Sequence, residues 1–445
     1  MGIKRLIHSA VFKQVTIAPL VTFRVLVGLI MFASVVRFWM NGWIEAQYIE
    51  PLLHFKYFGF HWLPEPSALG YYVIFGAMAL SALGITFGAL YRVSAVAFFL
   101  LFTYIELIDV TYYLNHYYFV SLVAGIMVFL PAHAKGSIDA WLGLVKQRDT
   151  VAAGNINIIK FQLALVYLFA GIAKLNADWL IHAMPLAIWL PAQDQLPVIG
   201  AFFRWEITPY LMSWAGALYD LTIPFLLLFS RTRWVAYAAV IAFHMLTWWL
   251  FPIGMFPFIM IAATLIFFSG EFHQRLQQRL FGWSWKEISK EDPLPITYRW
   301  YHLPVALFVL VQLTFPMRHL LYEGNPFWHE QGYRFGWRVM LTEKAGYAQF
   351  NVVNNEGNSI EVDNRDFLTP VQEKMMSTQP DLMIQYAQFL QQHYTQKGVH
   401  TVGVYANAYV TYNGRPSRPF IDHTVNLAAQ QDSWQPKPWI LPFES

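Results

Sequence analysis

In the stretch from Tyr167 to Trp179 an apolar run passes through Gly171-Ile-Ala into Lys174, then into a polar turn, Leu175-Asn-Ala-Asp178, closed by Trp179. An ammonium buried there with no carboxylate close in sequence is poorly solvated. That favours the neutral amine, a usable base near neutral pH. The competing reading is a lysine that snorkels from a helix end to a membrane surface. Two histidines are placed to join such chemistry: His116, directly after Asn115, and His244, in an apolar run followed by Phe251-Pro-Ile-Gly254-Met255-Phe256 and Met260. With no cysteine in the chain, any base must be a lysine, histidine, tyrosine or carboxylate. A lone histidine in an apolar run also serves as a packing residue, and the methionines and aromatics after it as core or lipid face. They equally suit a slot for a flat apolar ligand, which Gly254 lets approach closely.

The elements that must position these groups are membrane spans. Hydrophobic residues make up 56% of the 445-residue chain and charged residues 13%, against about 25% charged in soluble proteins. The mean hydropathy is +0.37. A net charge of +3, spread thinly, lacks the basic stripe of nucleic-acid binding. Runs long enough to cross a bilayer core, about 20 residues each, fall near 17–39, 69–90, 93–114, 117–134, 155–174, 211–230, 233–250, 252–269 and 300–316. The expected fold is therefore a mainly α polytopic membrane protein of about nine transmembrane helices. The N-terminal stretch shows no apolar core with a small-residue cleavage site, so the first long run is expected to stay as a span. Basic residues gather in alternate connections: Lys4, Arg5 and Lys13, then Arg92, then Lys135, Lys146 and Arg148, then Arg231 and Arg233, then Arg275, Arg279, Lys286 and Lys290. That pattern puts the N-terminus in the cytoplasm and, with an odd span count, the C-terminal part outside. The Asn115-His116 and Lys174 turns then face that outer part.

After about Pro316 the chain turns polar. Alternating stretches at 346–353 and 402–412 and an amphipathic helical stretch around 370–396 predict a small α+β domain. Residues 1–316 thus form a transmembrane helical domain and 317–445 a non-cytoplasmic α+β domain. Among ionisable residues within spans, Glu106 and Asp109 are read as structural salt bridges to Arg24 or Arg37, and Asp220 as a helix-packing hydrogen bond. No histidine pair with ligand spacing is present, so no metal is expected, and without a phosphate-cradling glycine loop or a Gly-x-Ser-x-Gly elbow nucleotide-driven transport and serine hydrolase chemistry lose their signatures.

The segment Gly171-Ile-Ala-Lys174-Leu-Asn-Ala-Asp178-Trp179 closely resembles the one carrying the proposed base of the vitamin K-dependent gamma-carboxylases. Leu114-Asn115-His116-Tyr117, Phe243-His244 and Ile253-Gly254-Met255-Phe256 are similar to further segments of that family, in the same order. So are Trp328 with Gly332-Tyr333, Trp337-Arg-Val-Met340, and Asn413 to Asp422. The resemblance implies an enzyme that oxidises reduced vitamin K, the hydroquinone, with dioxygen. The strong base so generated takes a γ-proton from a peptide glutamate, and carbon dioxide adds to give γ-carboxyglutamate and vitamin K epoxide. A glutamyl γ-proton is too weak an acid for any side chain, whereas deprotonating the hydroquinone is within reach of a desolvated amine.

On that resemblance Lys174 is the base and His116 assists carboxylation. His244 positions glutamate or oxygenated cofactor. Gly254, Met255, Phe256 and Met260 form the quinone slot. Asn115, Trp179, Trp328, Tyr333, Trp337, Lys344 and Arg418 form the substrate side. The implied partners are membrane lipid and a glutamate-containing peptide or protein.

The family's animal members have a lumenal disulfide and a longer lumenal region, both lacking here, and Lys344 stands where an arginine is expected. These departures imply a bacterial inner membrane rather than an endoplasmic reticulum. Two other readings remain open: a quinol-dependent oxidoreductase that has lost carboxylation, and a non-enzymatic quinone- or lipid-binding maturation factor in which Lys174 only snorkels.

Overall fold

The computed structural model describes residues 10–285 and 302–443. Lys4, Arg5, Lys286 and Lys290, used above to orient the chain, lie outside these residues. Pro19 opens the first helix, α1 (Ala18–Met40), where its missing N–H costs nothing. Helix α2 (Ala68–Phe87) starts where Ser67 accepts from the Gly70 N–H and stops at Gly88, which takes the left-handed conformation with φ 63°. Helices α3 (Tyr91–Ile108) and α4 (Asn115–Phe129) complete a group in which each helix packs on the next.

Helix α5 (Gly154–Ala173) packs on α6 (Thr208–Leu228), and α7 (Arg233–Leu250) joins α6 to α8 (Phe256–Thr264), which returns to α1. The core is one continuous apolar cluster running from Ile17 and Phe23 through Phe98, Phe119 and Leu163 to Met260. Strands β1 (Gln14–Thr16) and β2 (Thr150–Ala152) pair antiparallel and hold the starts of α1 and α5 together.

Among the described residues six helices are long and apolar enough to cross a membrane. They match six of the nine expected runs. Of the other three, 117–134 is realised as the 15-residue α4, and 233–250 as the 18-residue α7. The run at 252–269 ends in a 117° bend between Phe256–Phe267 and helix α9 (Gly270–Phe281). There Ser269 caps the new helix by accepting from the Phe272 N–H. An apolar run read along the sequence carries no sign of such a bend. Helix α10 (His302–Thr314) packs on α5 and leads into the C-terminal part.

That part is a four-stranded antiparallel sheet in the order β4 (Ser359–Glu361), β3 (Lys344–Asn354), β5 (Thr401–Tyr412), β6 (Arg418–Pro419). Alternate residues of β3 (Ala348, Phe350, Val352) and of β5 (Val404, Ala406, Ala408, Val410) are buried. Helices α11 (Pro370–Met376) and α12 (Pro380–Gln396) cover this face. A capping box between Thr369 and Gln372 sets where α11 begins. The same apolar cluster takes in Phe55, Tyr57 and Val110 from the helical part, so the sheet layer is fused to the connections α1–α2 and α3–α4.

Two expected pairings are corrected. Arg24 donates to the carbonyls of Ala132 (3.2 Å) and Gly136 rather than to Glu106 or Asp109. Asp109 instead meets His54 Nδ1 and Gln372 Nε2, each at 3.2 Å. The physical reason is layering: α2 packs against both α1 and α3, and the end of α3 is met by α11.

Candidate active site

The lysine turn is built by two local rules. Lys174 is the C-cap of α5, and Asn176 caps the next short helix, Ala177–Leu180, by accepting from the Trp179 N–H at 3.0 Å. The chain therefore turns sharply after Lys174. Its side chain is 7% exposed, and Nζ donates to Asp220 Oδ2 at 2.7 Å and to the Ala170 carbonyl at 3.4 Å. The ring of Trp179 lies 5.2 Å away. Asp220 sits inside α6, four residues before Pro224, which has no N–H to offer the Asp220 carbonyl. The expectation of a lysine without a carboxylate is thus corrected. The carboxylate nearest in sequence, Asp178, is turned to Arg415 and Asn413, and Asp220 arrives instead from 46 residues away because α5 packs on α6. Asp220 is an ion-pair partner as well as a helix-packing residue.

His244 projects from α7 and is buried. Its Nε2 lies 3.1 Å from the Tyr167 hydroxyl, and its Nδ1 has no hydrogen-bond partner. Tyr167 and Lys174 are seven residues apart on α5, two helical turns, and so share a face. His116, in the first turn of α4, stacks on Phe256 with ring centres 5.4 Å apart and 29° between planes. His244 meets the same ring edge-on at 5.7 Å. Phe256 is thus the wall between the two imidazoles. Gly254 adopts φ 63° in the turn that delivers Met255 and Phe256, and this backbone conformation is what a glycine is needed for.

All these side chains line one cavity of about 950 Å³: Lys174, Asp220, Tyr167, His116, His244, Asn115, Trp179, Gly254, Met255, Phe256 and Met260, with Tyr333 and Lys344 from the C-terminal part. Its size suits a drug-sized or larger apolar ligand.

Asn115 is engaged by the protein itself. Its Oδ1 accepts from the Tyr113 hydroxyl at 3.0 Å, and its Nδ2 donates to the Arg338 carbonyl at 2.9 Å. Tyr113 in turn accepts from the Phe335 N–H at 2.7 Å. This chain of bonds pins the 335–338 loop onto the His116 turn. The loop needs pinning because Phe335, Trp337 and Met340 all have positive φ, unfavourable for side-chain-bearing residues.

Three expected substrate residues lie away from the cavity wall. Trp328 is buried in the C-terminal core, edge-on to Phe420 at 5.0 Å, with Nε1 donating to the Leu441 carbonyl. Trp337 is fully buried and stacks on Tyr118 at 5.0 Å. Arg418 lies on β6 over the Phe443 ring at 5.8 Å. The family resemblance put them on the substrate side, whereas here they pack within the fold.

Lys344 does line the cavity, but its ammonium donates to Glu330 Oε1 (2.8 Å) and to the carbonyls of Thr378 (2.9 Å) and Trp328 (3.0 Å). Burial holds its pKa below the usual lysine value, and Glu330 opposes that shift. Tyr167, Asp220 and Glu330 are residues to which the sequence reading gave no role in the site. Only Tyr167 carried a readable signal, its two-turn spacing from Lys174.

Two family models match the chain. The HTTM domain covers residues 12–272, and the vitamin K-dependent gamma-carboxylase lumenal domain covers residues 298–445. The first holds Lys174, His116, His244 and Phe256, and the second holds Tyr333 and Lys344, so the two matches meet across one cavity. The chain belongs to the vitamin K-dependent gamma-carboxylase family. No solved structure matches it significantly.

Proposed function

We propose that this gamma-carboxylase family member couples oxidation of vitamin K hydroquinone to its epoxide with carboxylation of peptide glutamate to γ-carboxyglutamate. The observation that carries the reading is the convergence of Lys174, His116 and His244 on one cavity, with Phe256 between the imidazoles and Tyr333 contributed by the lumenal-domain part. The donor set fits a quinol: a flat aromatic and methionine wall beside an amine and two imidazoles. When bound and oxidised by dioxygen, that group supplies a base stronger than any side chain.

The chain's own residues do the rest. Phe256, Met255 and Met260 would hold the quinone's flat ring, and the Gly254 turn sets their position. Lys174 Nζ would take a phenolic proton as the proton it shares with Asp220 Oδ2, 2.7 Å away, passes to that carboxylate. With the Tyr167 hydroxyl as the donor to His244 Nε2, 3.1 Å away, the imidazole carries its proton on Nδ1. That N–H, without a protein partner, is free to meet developing negative charge. Trp179 and the buried walls keep water from the reacting atoms.

Length and composition allow six spans, or seven with the bent pair, and taking α4 and α7 as spans too gives the odd count of nine. The N-terminus is then cytoplasmic, and residues 317–445 form an extracytoplasmic domain above the cavity. Purified protein supplied with reduced vitamin K, dioxygen, labelled carbon dioxide and a short glutamate peptide tests the reading. Label in the peptide together with epoxide is expected. Epoxide without label counts against the carboxylase and for the quinol oxidoreductase.

A further inference from the structure

Five cations line the cavity: Arg37, Lys174, Arg334, Arg338 and Lys344. Three are neutralised within the fold, Lys174 by Asp220 at 2.7 Å, Lys344 by Glu330 at 2.8 Å, and Arg334 by Asp381. Arg37 is exposed and rests on the Trp43 ring at 4.7 Å. Arg338 differs from all of these. It is 6% exposed, its Nε has no hydrogen-bond partner, and among the described residues its guanidinium pairs with no carboxylate. Its nearest aromatic support is Phe327, 5.6 Å from Cζ. Burial pulls its pKa below the usual arginine value, with only Tyr333 opposing the shift. A buried, unpaired guanidinium is costly to keep unless an anion visits it.

The surroundings hold this side chain in place for such a visit. A Cβ on Gly336 would come within 2.5 Å of Arg338 Nη1, so glycine there leaves the guanidinium its room. The Arg338 carbonyl is tied by Asn115, the residue next to His116. Lys344, the alternative cation, has all three ammonium donors used by Glu330, Trp328 and Thr378.

We propose that Arg338 receives the side-chain carboxylate of the substrate glutamate and so selects glutamate over glutamine. The planar fork of a guanidinium matches the two oxygens of a carboxylate and rejects the neutral amide, which has only one acceptor oxygen and an opposing NH₂. The proposal rests on the carboxylase reading and adds to it the residue that chooses the side chain.

The test uses the full chain in detergent with bound quinone and measures dissociation constants for peptides blocked at both ends. One peptide contains glutamate, its twin glutamine, and a third contains glutamine with a free C-terminal carboxylate. Wild type is expected to bind the glutamate peptide on the order of 100-fold more tightly than the glutamine twin. Arg338→Gln should erase that preference with little change for the glutamine peptide, and Arg338→Lys should keep part of it as a point charge. Gly336→Ala, which crowds Nη1 and the Tyr333 carbonyl but keeps the charge, should weaken glutamate binding more than glutamine binding.

A preference that survives in both Arg338→Gln and Gly336→Ala overturns the proposal, and if wild type carboxylates the glutamate peptide the carboxylase reading stands without it. Preference only for the free C-terminal carboxylate overturns the glutamate assignment. Wild type that neither carboxylates nor discriminates overturns both.

Discussion

Lys174 Nζ donates to Asp220 Oδ2 at 2.7 Å across the contact between α5 and α6, and both side chains are buried. A charge pair this deep is expensive to break from one side only. Asp220→Ala should lower stability by about 3–5 kcal/mol through the unpaired ammonium it leaves. The double variant Lys174→Met, Asp220→Leu should recover most of that stability and still form no epoxide. Thermal melts with an epoxide assay check both parts. Equal melting points for the single variant and wild type would show that the pair is not closed in the folded protein.

Tyr167→Phe removes the hydroxyl 3.1 Å from His244 Nε2 and keeps the ring. The imidazole then loses the bond that fixes its tautomer. Epoxide formation should slow by about 10–100-fold in kcat with a much smaller change in KM. Steady-state kinetics decide this, and an unchanged kcat would remove Tyr167 from the site.

The C-terminal hairpin is tied to the lysine turn by Asp178, which accepts from Arg415 at 2.5 Å and Asn413 at 2.9 Å. Burial raises the pKa of Asp178, but hydrogen bonds from Arg415, Asn413 and Tyr412 outweigh it and hold the carboxyl below its ordinary value. Because the folded value is depressed, the stabilisation is complete above the unfolded value of about 3.9. It is lost as pH falls through the folded value. Arg415 is 30% exposed in its side chain, so screening trims the tie to about 1 kcal/mol. Asp178→Asn should melt lower than wild type at pH 7, by a margin that shrinks steadily as pH falls below about 4. A constant difference across that range would contradict the assignment.

Asn115 bonds the 335–338 loop to the His116 turn. Asn115→Ala should free the stretch 335–340, which holds three residues at positive φ, raising peptide KM about tenfold while quinone affinity stays near wild type. Amide hydrogen exchange across 335–340 should quicken in parallel. Unchanged exchange would show that Asn115 acts on substrate directly.

Much of the site was readable before any fold was known. The Lys174 turn, the Asn115-His116 turn and the Phe243-His244 and Gly254 to Phe256 segments all reach one cavity. What the chain order hid were partners made by helix packing. Asp220 lies 46 residues from Lys174, and His244 lies 77 from Tyr167, so neither pairing has a local pattern. Trp328 and Trp337 were misplaced for a different reason: a buried tryptophan in a joint and one over a ligand share the same sequence context. Arg338 stood in plain view inside the Trp337 to Met340 segment. Its significance depends on every neighbouring acid being already taken, and only three dimensions show that.

The central claim is that Lys174 is the base that starts a coupled epoxidation and carboxylation. Its most direct test is a paired assay of wild type and Lys174→Ala, each shown to be folded and to bind quinone, with reduced vitamin K, dioxygen, labelled carbon dioxide and a glutamate peptide in one tube. The account predicts label and epoxide from wild type and neither from the variant. Epoxide and label that persist in Lys174→Ala, or a wild type that makes neither, would contradict it.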